Sequence, residues 1–328
     1  MTTRGQRLIL AVPSKGRLQE QVTHYLGDAG LDLKQVSGAR GYRASFAGEP
    51  DVDVKLMSSA KIASALGAGE AHLGITGEDL IREDVPESDA KIALLQPLGF
   101  GFADVVVAVP RAWIDVTTMA DLDDVCTAFH ARHHRRLRVA TKYLALTRTF
   151  FAAHGIADYR IVESLGATEG APAAGLAEAV VDITTTGATL TANDLKVLED
   201  GVLLKSQAQL AASLTAKWDA KALDAAERLT ARIAARELAR NSYVLRLALG
   251  RGGKAVLEML SKETGCTVLI RGQGKAETTI LCPREKLSEV VALLRAKRIG
   301  APLAAELADY VFANGNLLIH RLQRALQA

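Results

Sequence analysis

The chain has 328 residues, of which 49% are hydrophobic and 23% charged, and its formal net charge is +3. Such a length accommodates two or three domains with buried cores. The small net charge argues against a nucleic-acid partner, and the lack of an apolar run of roughly 20 residues argues against a membrane partner. Three widely spaced cysteines and an N-terminal apolar run too short for a signal peptide predict a cytoplasmic protein.

Short apolar runs alternate with helix-like stretches over the first two thirds of the chain, a pattern typical of βαβ architecture. Strands are predicted at residues 7–13, 52–58, 71–76, 103–110, 137–142, 159–165 and 178–184, and one more within 201–213. Helices are predicted at 18–30, at 60–69 and near 190, and a hairpin or loop at 38–51. Residues 214–241 contain neither glycine nor proline and predict a long helix.

The last part of the chain has a different pattern. From residue 242 the order is β-α-β-β-α, which is the start of a ferredoxin-like α+β module. Residues 302–322 give no clear final strand. The module has no glycine–threonine turns of the kind described next, and we therefore predict that it serves regulation or oligomerisation.

The stretch DITTTGATL, residues 182–190, joins a predicted strand to a predicted helix. A helix start offers unpaired N–H groups and the positive end of the helix dipole, and Gly187 lets the backbone approach a ligand closely. Asp182 can accept hydrogen bonds from sugar hydroxyls, so the loop suits a sugar phosphate. The alternative is a strand-to-helix turn with a threonine as N-cap. Four hydroxyl donors lie in the loop: Thr184, Thr185, Thr186 and Thr189.

Three further strand ends carry polar residues. Lys15 and Arg17 flank a glycine before a helix, where they form either an anion site or a solvated surface. Asp79 lies at another helix start, as a partner of the helix dipole or as a ligand for hydroxyls, and Lys142 follows a third strand. Because ligands collect at the carboxyl ends of strands in α/β sheets, four such junctions indicate a ligand with phosphates and a sugar.

Two other patterns favour structural interpretations. His130, His133 and His134 have the spacing of a helical metal site, but four arginines and no acidic or cysteine residue accompany them, which favours a solvated basic surface. Residues 250–255, GRGGKA, lack the spacing of a phosphate loop and predict a strand-to-helix turn.

Residues 169–190 together resemble the signature of the ATP phosphoribosyltransferases, the first enzymes of histidine biosynthesis. The stretches KGRL, LGITGEDL and RVATKY extend the resemblance, in the family's order, over about residues 7–213. Every fixed position of the signature is matched: Glu169, Gly175, Ala177, Asp182, Thr186, Gly187, Thr189 and Leu190.

The resemblance implies an α/β fold with a two-lobed catalytic core like that of type II periplasmic-binding proteins, followed by the ferredoxin-like α+β domain. Residues 1–103 and 190–241 would form the discontinuous first domain, which ends in a linker helix, and residues 104–189 the second. Residues 242–328 would form the C-terminal regulatory or oligomerisation domain. The cleft between the lobes would bind ATP and phosphoribosyl pyrophosphate (PRPP).

The resemblance also implies the chemistry: N1 of adenine attacks C1 of the PRPP ribose with inversion, and pyrophosphate leaves. Lys15 and Arg17 would be catalytic and face the pyrophosphate or triphosphate, while Asp79 and Lys142 would bind ATP. Mg²⁺ is the implied cofactor, bound mainly by substrate oxygens, and no protein ligand for it is assigned. A homo-oligomer (dimer or hexamer) and a histidine effector are implied as well. The PRPP site would comprise Asp182, Thr184, Thr185, Thr186, Gly187, Ala188 and Thr189.

The chain departs from the family pattern in two places. Leu56 and Ser58 stand where many members have arginines, and the C-terminal domain shows little likeness to the usual histidine-binding domain. The phosphate contacts that these arginines would make in other members are then either lost or supplied by Arg43, Lys55 or Lys61. Two alternative functions remain, a catalytically silent regulatory subunit and a ligand-binding module on the same fold.

Overall fold

The computed structural model describes residues 6–35, 42–164, 166–249, 253–272, 277–297, 299 and 303–327. It contains two compact units, one made of Met1–His24 and Leu33–Ala222, the other of Tyr25–Asp32 and Leu223–Gln327. Within the described ranges, no helix is both long enough and apolar enough to cross a membrane.

The first sheet of the larger unit is mixed. Its elements are β1 (Leu8–Pro13), α1 (Gly16–Asp28), β2 (Leu33–Gln35), β3 (Arg43–Phe46), β4 (Val52–Met57), α2 (Ser59–Gly67), β5 (Leu73–Gly77), α3 (Glu78–Asp84), α4 (Ser88–Lys91), β6 (Ile92–Pro97) and β12 (Ala208–Ser213). The strand order is β2-β3-β4-β1-β5-β12-β6. Because β1, β4 and β5 are parallel, their carboxyl ends lie at one edge of the sheet. A hairpin or loop was predicted at 38–51; its described part contains β3, and residues 38–41 lie outside the described ranges.

The second sheet of the same unit has the order β11-β7-β10-β8-β9. Alternate valines of β7 pack against α5 and α6, where Leu122, Cys126 and Phe151 are fully buried. This core supports the edge at which β8 and β10 end. The elements are β7 (Asp104–Pro110), α5 (Met119–His133), β8 (Leu137–Thr141), α6 (Leu144–Ala153), β9 (Tyr159–Glu163), β10 (Ala179–Thr184), α7 (Ala188–Ala192) and β11 (Leu195–Leu204).

The chain crosses between the two sheets twice, through residues 98–103 and 205–207, so that β12 lies in the first sheet although it follows the whole second sheet in sequence. The predicted two-lobed core is confirmed. The return to the first lobe lies later than the predicted residue 190, because β11 pairs with β7 in the second sheet. The helix predicted near 190 is correspondingly only the five-residue α7. The side chains of Leu195 and Leu198 are buried on the second lobe. This packing explains why the chain continues there as strand β11 and not as a longer helix.

The smaller unit contains the ferredoxin-like domain predicted from the β-α-β-β-α pattern. Its antiparallel sheet has the order β14-β15-β13-β16. The last strand, absent from the prediction, has only four residues, and three of them are exposed, so it carries no alternating apolar pattern. The elements that end the chain are α8 (Ala220–Arg240), β13 (Ser242–Leu247), α9 (Gly253–Thr264), β14 (Thr267–Ile270), β15 (Thr278–Pro283), α10 (Leu287–Ala296), β16 (Leu303–Glu306) and α11 (Leu317–Gln327).

The segment before α8 is a turn rather than the predicted helix. The indole Nε1 of Trp218 donates to the carbonyl of Ser213 at 2.8 Å, and Asp219 accepts from the N–H of Ala222 at 2.8 Å. Asp219 therefore caps α8. Residues 250–252 of the GRGGKA stretch lie outside the described ranges, while Gly253 begins α9.

His72 ties this turn to the first sheet. Its Nδ1 accepts the N–H of Ile9 at 3.0 Å, and its Nε2 lies 3.1 Å from the carbonyl of Lys217. Because a backbone N–H can only donate, Nδ1 carries no proton and Nε2 donates, so the ring is neutral. Burial lowers the pKa of His72 below 6.5, and the Lys217 carbonyl opposes the shift.

Protonation of His72 should destabilise the fold. A histidine whose folded-state pKa lies below its unfolded value of 6.5 contributes its full stability above pH 6.5 and loses it as the pH falls toward the lowered pKa. We expect the melting temperature to fall between pH 7 and pH 5.5, and His72→Gln to reduce this slope. Thermal unfolding of the wild type and of His72→Gln, in buffers matched except for pH, measures this pH dependence. The control is His134→Asn at an exposed αL position that asparagine tolerates; an equal loss of slope there would contradict the assignment.

Candidate active site

The carboxyl ends of β8 and β10 bring two of the predicted site segments together. The strands are parallel, with Val181 opposite Thr141, so Lys142 and Asp182 follow at the same edge. Burial raises the pKa of the Asp182 carboxyl, while the N–H of Ile183 and the ammonium of Lys142 oppose the rise. The edge thus presents a half-buried carboxylate within the field of an exposed cation.

The loop after β10 is held by its own threonines. Thr184 Oγ1 accepts the N–H of Gly187 at 2.7 Å, and Thr186 Oγ1 accepts the N–H of Ala188 at 3.4 Å. Gly187 has a φ of 74°, which an L-residue adopts only with strain, and the position of a Cβ there is open space. The turn is therefore preorganised by hydroxyl acceptors and one glycine.

The same loop retains donors for a ligand. The backbone N–H groups of Thr185, Thr186 and Thr189 find no acceptor within the described part of the chain. The hydroxyls that accept from Gly187 and Ala188 still have their own hydrogens to donate. Because α7 is only five residues long, the anion-binding capacity comes from these individual donors more than from a helix dipole.

One predicted hydroxyl is engaged elsewhere. Thr185 Oγ1 donates to the carbonyl of Phe102 at 3.1 Å, which ties the loop to the first crossing segment. The Phe102 side chain is itself 53% exposed. Thr185 thus offers its backbone N–H to a ligand, while its hydroxyl anchors the loop.

Lys15 and Arg17 lie where the sequence predicted, at the carboxyl end of β1. Both side chains are exposed, and Gly16 between them has a φ of 76° at the start of the 13-residue helix α1. The parallel neighbours β4 and β5 end at the same edge of the sheet. This edge therefore carries two solvated cations beside a helix N-terminus.

Asp79 differs from its predicted role. Its carboxylate is 5% exposed and accepts hydrogen bonds from Tyr143 Oη at 2.8 Å and Ser206 Oγ at 2.9 Å. Gly77 leaves room for it, since a Cβ there would lie 2.2 Å from Asp79 Oδ1. Asp79 therefore does not present a free oxygen to ATP in this geometry, in contrast to the prediction.

Sequence reasoning missed the two partners of Asp79. Tyr143 follows Lys142 directly in the stretch RVATKY, so its proximity to a predicted ligand was a usable signal. Ser206 lies between β11 and β12 and stands 127 residues from Asp79, and nothing in its local sequence marks it. The hydrogen bond from Tyr143 brings the carboxyl edges of the two sheets together.

The departures at residues 56–61 have structural roles. Leu56 is buried, and the Ser58 hydroxyl accepts from the N–H of Lys61 as the N-cap of α2. Lys55 Nζ donates to the Glu70 carbonyl at 3.4 Å, and Arg43 pairs with Lys55 across β3 and β4. Lys61 is exposed in the first turn of α2, the helix that follows the carboxyl end of β4.

His130, His133 and His134 lie on an exposed surface of the second lobe. His130 Nδ1 lies 2.9 Å from Asp158 Oδ1, and the His133 ring stacks obliquely on Phe129 at 4.4 Å. In the ranges that the structure describes, no group of three or more His, Cys, Asp or Glu side chains could hold a metal ion. The basic-surface interpretation fits this segment.

Comparisons with known proteins agree on one family. Residues 58–235 match the family model described as ATP phosphoribosyltransferase. A protein named ATP phosphoribosyltransferase from Rhodopseudomonas palustris (strain BisB18) is 51% identical over 320 residues, covering 97% of this chain and 98% of the relative. Another of that name, from Caulobacter vibrioides (strain NA1000 / CB15N), is 48% identical over 328 residues, covering 98% of each.

A solved structure supports the fold. The ATP phosphoribosyl transferase (HisG:HisZ) complex from Thermotoga maritima contains a chain that is 24% identical, with a TM-score of 0.52. The match covers 69% of this chain and 97% of that one.

Proposed function

The chain belongs to the ATP phosphoribosyltransferase family, and from that premise we propose how its residues join N1 of the ATP adenine to C1 of the PRPP ribose. Pyrophosphate is released, and the reaction is the first step of histidine biosynthesis. The observation that carries the site assignment is the threonine loop, whose free N–H groups surround an open glycine at the carboxyl edge of the second sheet.

The loop would hold the 5′-phosphate of PRPP. The N–H groups of Thr185, Thr186 and Thr189 and the threonine hydroxyls are short-range donors, and together they replace the water lost by a bound phosphate. Among the described residues, and apart from the chain neighbours of Gly187, no atom lies within 4 Å of the place where its Cβ would be, so this side of the loop is open to a ligand. The Ala188 methyl, exposed at the rim, leaves the backbone accessible.

Asp182 would accept hydrogen bonds from the ribose hydroxyls. An ionised carboxylate accepts hydrogen bonds at both oxygens, whereas the protonated acid also donates one. Burial raises the pKa of Asp182 toward the protonated form. The nearby Lys142 ammonium favours the ionised form and would itself bind ATP phosphate oxygens. Lys142 would thus act at both sites, by stabilising the ionised Asp182 at the sugar site and by binding phosphate at the nucleotide site.

The reaction forms a C–N bond at C1 and breaks the bond from C1 to the pyrophosphate oxygen. Adenine N1 attacks as a neutral nitrogen, so rate depends on alignment and on stabilising the charge that develops on the leaving pyrophosphate. Lys15 and Arg17, two cations at the edge of the first sheet, would supply that stabilisation.

Mg²⁺ would be shared between the substrate and the protein. The described residues lack a cluster of three protein ligands, which suits a cation bound through substrate oxygens with at most one or two carboxylates. Asp182 is the carboxylate at the sugar site that fits this description. When bound, Mg²⁺ neutralises charge on the departing pyrophosphate.

Release of pyrophosphate tests the function directly. The purified chain with Mg²⁺, ATP and PRPP should release pyrophosphate and form an adduct whose mass is that of ATP plus a ribose phosphate. Omission of either substrate should abolish both signals. Binding of PRPP without turnover would instead identify a silent regulatory subunit or a ligand-binding module. The histidine effector and the dimeric or hexameric state stay predictions for the C-terminal domain.

A further inference from the structure

The buried Asp79 carboxylate accepts hydrogen bonds from two different parts of the larger unit, and we propose that Asp79 and Tyr143 are positioning residues that hold Lys142 in place for the transfer reaction. The inference rests on the proposed function, since Lys142 matters only if ATP and PRPP react here. Asp79, Tyr143 and Ser206 are called the Asp79 network.

The Asp79 network joins three segments of the chain. Asp79 lies in the first turn of α3 on the first lobe, Tyr143 follows β8 on the second, and Ser206 lies in the returning crossover. Tyr143 Oη and Ser206 Oγ donate to separate oxygens of Asp79, and the Asp79 N–H donates to Ser206 Oγ at 3.0 Å. Because all three residues are at most 5% exposed, water cannot replace these bonds readily.

Further hydrogen bonds hold the two crossing segments and the two lobes together near Asp79. The N–H of Ala103, in the outgoing crossover, donates to the Ser206 carbonyl at 3.0 Å. Glu83 of α3 accepts the N–H groups of Ala145 and Leu146 at 2.9 and 3.0 Å, and so caps α6 of the opposite lobe. Both crossovers and both lobes are thus fixed around one buried carboxylate.

Tyr143 connects the Asp79 network to Lys142. Its N–H donates to Thr141 Oγ1 at 2.9 Å, so the backbone on both sides of Lys142 is held. Lys142 Nζ lies 4.8 Å from the centre of the Tyr143 ring, a cation–π contact. Burial raises the pKa of the Tyr143 phenol, which keeps it protonated as the donor to Asp79. A displaced Tyr143 would therefore move Lys142 away from the edge that it shares with Asp182.

Tyr143→Phe tests the inference, because it removes one hydroxyl and keeps the ring. The kcat should fall about 10- to 100-fold, because misplacement of a group by about 1 Å can cost on the order of 100-fold in rate. The Kd of PRPP should stay within about twofold, because the threonine loop forms its own hydrogen bonds. A residue that served stability alone would lower the melting temperature and leave kcat per folded molecule unchanged.

A double-mutant cycle identifies Lys142 as the residue through which Tyr143 acts. In the Lys142→Ala background, Tyr143→Phe should cause little further loss of kcat. Independent, multiplicative losses would overturn the inference. Tyr159→Phe is the matched control: its half-buried ring packs against Phe151 at 4.6 Å in the same lobe, and its kcat should equal that of the wild type.

Three results separate the proposals. Wild-type kcat in Tyr143→Phe overturns the positioning role while leaving the proposed function intact. A wild-type chain that releases no pyrophosphate overturns the function and the inference with it. Should Tyr143→Phe fail to fold, Asp79→Asn is the second variant; it keeps the side-chain volume, and the same fall in kcat with unchanged PRPP affinity is expected, whereas a wild-type kcat overturns the inference.

Discussion

Gly187→Val should lower kcat/KM for PRPP by about 100-fold, on the order of 3 kcal/mol. Gly187 has a φ of 74°, where a β-branched residue is strained. Relief of that strain would rotate the backbone, break the 2.7 Å bond to Thr184 Oγ1 and turn the neighbouring N–H groups away from the phosphate. Steady-state kinetics at saturating ATP and equilibrium binding of PRPP measure the loss.

Gly155→Val provides the matched control for Gly187→Val. Gly155 lies in the same lobe, has a φ of 75°, and also has open space where a Cβ would be. Both substitutions should therefore lower the melting temperature to a similar extent, while kcat/KM falls only for Gly187→Val. Equal kinetic losses would mean that the strain acts on the whole lobe and would contradict the phosphate assignment.

The sequence predicted those parts of the site that depend only on the local succession of strand, turn and helix. Strands followed by glycine-rich turns place Lys15 and Asp182 at strand ends whatever the rest of the chain does. The sequence also indicated that the four strand-end junctions serve one ligand, because parallel strands end at a common edge. Lys142 and Asp182 do lie at one such edge. These predictions require only the hydrophobic periodicity of each segment and the order of the segments along the chain.

The role of Asp79 could not be predicted in this way. Its two hydroxyl partners lie 64 and 127 residues away, and an acidic residue in the first turn of a helix normally faces solvent near the helix dipole. Burial of this carboxylate depends on how the two lobes and the returning crossover meet. That information resides in tertiary contacts and not in the spacing of LGITGEDL.

The misplaced boundary at residue 190 has a related cause. Thr189, Leu190 and the following polar residues satisfy a helix start as well as a turn, so local pattern does not fix the length of the helix. In the structure α7 ends at Ala192, and Leu195 and Leu198 are buried in the second sheet. Packing against β7 thus extends the second lobe to the end of β11 at Leu204.

Arg17→Ala should lower kcat by about 100-fold while KM for PRPP changes far less. The guanidinium would stabilise charge that develops on pyrophosphate as the bond to C1 breaks, and a donor that acts mainly in the transition state affects kcat. Arg17→Lys should recover part of the rate, because the charge remains but the forked donor geometry is lost. Steady-state kinetics with each substrate varied in turn measure the effect.

The control for Arg17→Ala is Arg132→Ala, which removes an equally exposed cation from α5. Any effect of net charge on the approach of anionic substrates would be shared by both variants and would weaken with added salt. A loss specific to Arg17, and insensitive to salt, therefore reports contact with the leaving group. A rise in KM with unchanged kcat would show instead that Arg17 binds substrate and transition state equally, which would remove it from catalysis.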